Sequence, residues 1–151
     1  MKLPVDKTGR RKKANTRFNK MRKNMSELEL LLGYELTASS RHRRFVSLVM
    51  LSSEAEQSGE LEHLLDGVVR ESDSAFTVND GAIVLMGETD SSGAMRAVER
   101  YKNTINNRMD VRFSISSFPV DGKAPTELMQ SAERRLQKAR ELNSGAIVAE
   151  G

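Results

Sequence analysis

Apolar positions along the chain alternate between helical and strand-like spacing. From about Asn15, the residues Phe18, Met21, Met25, Leu28 and Leu32 recur at intervals of three and four, a heptad-like seam that predicts a helix. Such a seam either packs on its own domain or pairs with a second copy as a dimerising stalk. The run "FVSLVML", residues 45–51, is continuously apolar and rich in β-branched residues, which predicts a buried strand. Leu61, Leu64, Leu65, Val68 and Val69 then follow the spacing of an amphipathic helix ending near Arg70. "SAFTV" and "AIVLM" flank "NDG", which predicts a β-hairpin turning at Asn79, Asp80 and Gly81, with the glycine supplying positive φ.

Beyond the hairpin, Asp90, Ser91 or Ser92 caps a helix that carries Met95, Val98, Tyr101 and Ile105 on one face. "VRFSISSF" alternates as a strand. Pro125 opens a further helix with Leu128, Ala132, Leu136, Ala139 and Leu142 on its apolar stripe, stopped by Asn143 and Gly145. "AIVA" is a short last strand. The predicted order is helix, strand, helix, strand, strand, helix, strand, helix, strand. A hairpin set between helical crossovers implies a mixed central sheet of about five strands flanked by helices, an α/β or α+β sandwich.

Composition narrows the chemistry. A chain of 151 residues suits one domain with a proper core. There is no cysteine, which excludes disulfides and thiolate chemistry. The two histidines, His42 and His63, have no partner at ligand spacing, so neither a metal site nor a cofactor is expected. The basic start is not followed by an apolar run of signal-peptide or membrane-span length, and a cytoplasmic protein is expected.

Net charge hides an asymmetry. Residues 1–25 hold ten bases and one acid, Asp6, a balance of +9, whereas the rest holds fourteen bases and twenty acids, a balance of −6. The chain thus divides into a basic arm with the start of a helix, 1–23, and a mildly acidic domain, 24–151. Arg10, Arg11, Lys12, Lys13, Arg17, Lys20, Arg22 and Lys23 form either a solvated tail or a contact for nucleic acid, an anionic membrane or an acidic partner. Phe18 is the only aromatic residue of the arm, so no base-stacking platform is indicated.

Several segments in this order resemble one family. "ELTASSRHRRFVSLVML" is similar to the first helix end and first strand of the GGDEF family, the bacterial diguanylate cyclase domain. "RESDSAFTVNDGAIVLM" occupies the place of its signature hairpin, and "MRAVERYK" resembles the following helix, often A-E-R-I-R. "VRFSISSF" resembles the family strand V-T-x-S-I-G, with Ser116 where glycine is usual, and "SAERRLQKAR" resembles the last helix, with Arg140 in place of a lysine linked to substrate phosphates. The resemblance runs from about Asn24 to Val148 and implies a nucleotide-cyclase-like fold.

What it implies for function divides in two. The family joins two GTP molecules into cyclic di-GMP, using divalent metals held by an aspartate after the first strand and an acid in the G-G-[D/E]-E-F turn. Here Ser52 or Ser53 takes the first place and the turn reads "NDGAI", shorter by one residue, with only Glu54 and Asp80 nearby as acids. The family segment that holds guanine and ribose has no room between Ser52 and Asp73. Loss of the catalytic activity is expected.

The family's regulatory site, an R-x-x-D motif that binds cyclic di-GMP, has its counterpart in Arg70 and Asp73, completed by Arg100 of "VERYK" and with Arg96 one turn away. Guanidinium groups bond phosphate or the O6 and N7 edge of guanine, and an aspartate accepts from the guanine N1 and N2 donors. The same motif also suits a plain helix end, with Arg70 on the C-terminal dipole and Arg100 a solvated charge. The resemblance therefore implies a non-catalytic cyclic di-GMP receptor. A ligand-independent scaffold for a protein partner or self-association is the alternative, followed by a polyanion adaptor working through the arm.

Overall fold

The computed structural model describes residues 25–42, 44–53, 58–78, 80–105 and 108–151. Every basic residue of the predicted arm, with Phe18 and Met21 of the seam and Glu54, lies outside them. The described elements are α1 (Met25–His42), β1 (Val46–Ser53), α2 (Ser58–Asp66), β2 (Asp73–Val78), β3 (Gly81–Gly87), α3 (Ser91–Ile105), β4 (Val111–Phe118), α4 (Pro125–Arg140) and β5 (Ile147–Val148). The order is the one the hydrophobic pattern predicts.

The strands form one sheet in the order β2-β3-β1-β4-β5. β1 is central and antiparallel to both neighbours, with Val49 opposite Val84 on one side and Ile115 on the other. β2 pairs antiparallel with β3, and β5 lies parallel to β4, so the sheet is mixed. Central placement is why β1 reads as an unbroken apolar run: its alternate side chains enter two separate cores. Val49 and Leu51 pack with Leu61 and Leu65 of α2 and Val98 and Tyr101 of α3. Leu48 and Met50 pack with Leu28, Leu32 and Leu36 of α1 and Leu128 and Leu136 of α4. The result is a three-layer α+β sandwich. No helix among the described residues is long and apolar enough to cross a membrane.

The described part of the seam packs on its own domain. Leu28 and Leu32 are fully buried against the sheet, while Leu30 and Tyr34 on the other side of α1 are exposed. Of the three candidate caps of α3, Asp90 takes the role, its Oδ1 accepting the Gly93 amide at 2.8 Å.

Three expectations need correction. α2 stops at Asp66 rather than near Arg70, because the chain turns at Gly67 and the amides of Val68 and Val69 both bond back to the Leu65 carbonyl at 2.9 Å. α4 ends at Arg140, before Asn143, and Leu142 is exposed rather than part of the apolar stripe. Its carbonyl instead accepts the Arg112 guanidinium at 2.9 and 3.1 Å. Gly81 does not adopt positive φ. It is required for a different reason: a β-carbon there would overlap the carbonyl of Leu51 on the neighbouring strand. Gly145, at φ +88°, does use left-handed backbone, and its amide reaches the Val111 carbonyl at 2.7 Å to bring β5 beside β4.

Candidate functional site

At one end of the sheet, the turn into β2, the β3–α3 turn and the outer face of α3 enclose a polar cleft of about 540 Å³. The amide of Asp73 bonds the Arg70 carbonyl at 2.9 Å, a closed turn that sets the two motif residues at the cleft. Asp73 begins β2 and is buried, whereas Arg70 is exposed. α3 supplies Arg96 and Arg100, one helical turn apart. The helix is fixed by Tyr101, which is fully buried in the core beneath it. The structure therefore brings Arg70, Asp73, Arg96 and Arg100 together on one cavity.

Arg100 is not a solvated charge. It is partly buried, with its guanidinium carbon 5.8 Å from the centroid of the Tyr101 ring. Its Nη2 is buried and makes no hydrogen bond. Arg96 is exposed and donates through Nη1 to Ser92 Oγ at 3.2 Å. Three guanidinium groups beside a buried carboxylate present donors for phosphate or a purine edge and an acceptor for N–H groups.

The rim of the cleft is tied down. Thr89 donates its amide to the Phe45 carbonyl at 3.2 Å and accepts Ser47 Oγ on its own carbonyl at 2.8 Å. Glu88 sits in the left-handed region at φ 51°, uncommon for a residue with a side chain, and its carboxylate meets Arg44 at 2.6 Å. Sequence reasoning missed three carboxylates of the cleft lining, Glu88, Glu35 of α1 and Asp90, the last read only as a helix cap. No local motif marks Glu35. It reaches the cleft only because α1 packs across the sheet.

No family model and no curated protein matches the sequence. Solved structures do match. The GGDEF domain of TpbB (YfiN) from Pseudomonas aeruginosa superposes with a TM-score of 0.77 at 17% identity, covering 85% of this chain and 90% of that one. The active GGEEF domain of a diguanylate cyclase from Vibrio cholerae gives 0.74 at 13% identity over 83% and 96% of the two chains. The GGDEF domain of DgcB from Caulobacter crescentus, in complex with c-di-GMP, gives 0.75 at 10% identity over 83% and 87%.

The fold is that of a GGDEF domain.

Within this GGDEF fold, β1 ends on Ser52 and Ser53, beside the hairpin turn. Ser52 pairs with Gly81, and the Ser53 amide bonds the Asp80 carbonyl at 2.8 Å. Ser52 Oγ accepts Arg140 Nε at 3.2 Å, and Ser53 Oγ is buried without a partner. Asp80 is exposed. Hydroxyls with a guanidinium beside them do not make the oxygen-rich, anionic donor set that a hard divalent cation takes. Among the described residues, no three His, Cys, Asp or Glu side chains stand together to hold a metal ion.

Proposed function

We propose that this GGDEF-like domain is non-catalytic and serves as a receptor for cyclic di-GMP, bound in the cleft of Arg70, Asp73 and Arg100 with Arg96 beside them. The observation that carries this reading is the half-buried Arg100 on the cleft lining, whose guanidinium keeps one buried nitrogen, Nη2, without a hydrogen bond. An unmet buried donor costs about 1–3 kcal/mol, and a turn of the guanidinium toward a phosphate or guanine oxygen in the cleft would offset that cost. The DgcB domain, similar in fold, is in complex with the same nucleotide. For the non-catalytic half, the support is the pair Ser52 and Ser53 at the end of β1, with Arg140 on Ser52.

Thermal unfolding tests the reading. A ligand that binds only the folded state raises the melting temperature with its concentration. Cyclic di-GMP raises it for the wild type and raises it less for Arg100→Ala at the same concentration; an unchanged wild-type temperature at millimolar nucleotide rejects the assignment.

One observation favours a second reading, a protein-contact role. Leu30 and Tyr34 stand one helical turn apart on α1, 67% and 72% exposed, in a helix whose opposite face is already buried. A partner or second copy covering this face would work without nucleotide.

A further inference from the structure

The cleft has one wall that the R-x-x-D motif does not supply. Glu35 lines it from α1, the helix packed on the other face of the sheet. Its place is fixed by its neighbours on the helix: Leu32 and Leu36 on either side are buried in the core, so α1 cannot rotate Glu35 away. The side chain lies over Gly87, where a β-carbon would come within 3.3 Å of Glu35 Oε1. No described cation pairs with it.

An ionised carboxylate accepts hydrogen bonds and donates none, and its two oxygens suit two adjacent donors. The cleft's guanidinium groups are donors only, matched to phosphate and to the O6 and N7 acceptors of guanine. The donors of guanine, N1–H and N2–H₂, stand side by side on the opposite part of the base. Adenine offers an unprotonated N1 and a C–H there, which would meet a carboxylate with repulsion. Asp73 can receive one such edge. A second acceptor is needed for the second base of a cyclic dinucleotide, and Glu35 is the half-buried carboxylate that α1 contributes to the same cleft.

We infer that Glu35 is a purine-selecting residue of the cleft, accepting the N1 and N2 donors of a guanine base and thereby making α1 part of the binding site. This rests on the reading of the cleft as a cyclic dinucleotide site. It also ties occupancy of the cleft to α1 directly.

The test is titration calorimetry of the full chain with cyclic di-GMP and with cyclic di-AMP, on wild type, Glu35→Ala and Glu35→Gln. Wild type prefers the guanine dinucleotide. Glu35→Ala lowers its affinity by about tenfold to a hundredfold, the effect of losing a charge-assisted contact, while the weak binding of the adenine dinucleotide holds or improves. Glu35→Gln keeps the side-chain volume but sets an amide donor against the guanine donors, and it shows the same loss. Unchanged melting of both variants without nucleotide confirms that the effect is one of recognition. If both variants keep the wild-type affinities and preference, the role of Glu35 is overturned while the cleft reading stands. If wild type binds neither nucleotide, both are overturned.

Discussion

Arg135 grips Asp121 through two parallel bonds, Nη2 to Oδ1 at 2.9 Å and Nη1 to Oδ2 at 3.0 Å, and the same Nη1 reaches the Ile115 carbonyl at 2.7 Å. Both side chains are largely buried, and the pair ties the β4–α4 connection to the middle of α4 and of β4. Breaking a buried pair from one side leaves a charge without its partner. Arg135→Ala is expected to lose about 3–5 kcal/mol of unfolding free energy, and Arg135→Met with Asp121→Asn to recover most of it. Urea unfolding of the wild type and the two variants measures this directly.

Asp121 also sets a pH dependence. Burial pushes its carboxyl up, but hydrogen bonds from Arg135 and the Ser117 amide, with the charges of Arg135 and Arg134, outweigh that and hold it below its ordinary value of 3.8. In the unfolded chain it takes up a proton at the ordinary value, while the native chain binds one only at lower pH. The contribution is therefore complete above the ordinary value and is lost as pH falls through the native one. Below about pH 4, the wild type should lose stability more steeply than Asp121→Asn, read from unfolding curves across the acid range.

At the hairpin, Gly81→Ala places a β-carbon on the Leu51 carbonyl, so β1 and β3 must separate or the turn must shift. A loss of about 1–3 kcal/mol or more is expected, as for other overpacked sites. Because the cause is contact and not positive φ, Gly81→Asn, which relieves left-handed strain elsewhere, is expected to be no better than alanine. Thermal unfolding of the two variants decides between the causes.

The two sides of α1 separate in the same way. Leu32→Ala opens a cavity in the core and is expected to cost about 2–5 kcal/mol. Leu30→Ser and Tyr34→Ser alter exposed positions and are expected to stay within about 0.5 kcal/mol. Under the protein-contact reading, the latter two also lower self-association or partner binding, which sedimentation would show.

The strands and the apolar faces of α3 and α4 were legible because burial leaves a period in the sequence, and β1 was legible as a buried strand from its unbroken apolar run, though its central place was not. Arg135 was not legible: a charge between Ala132 and Leu136 reads as a solvated position, and only Asp121, on the loop before the helix, explains its burial. Leu142 was misread because the apolar spacing continued past the point where the helix gives way at Arg140. The motif residues Arg70 and Asp73 could be found locally, and Arg100 through its place in the following helix. Glu35 could not, since its approach to the cleft depends on the packing of α1 across the sheet.

The central claim is that the cleft of Arg70, Asp73 and Arg100 holds cyclic di-GMP. Titration calorimetry of the nucleotide into wild type, Arg70→Ala and Arg100→Ala tests it most directly. Wild type is expected to bind with micromolar or tighter affinity and each variant to lose at least about tenfold, the effect of one charged hydrogen bond. Absence of binding heat from wild type, or full affinity in both variants, would contradict the account.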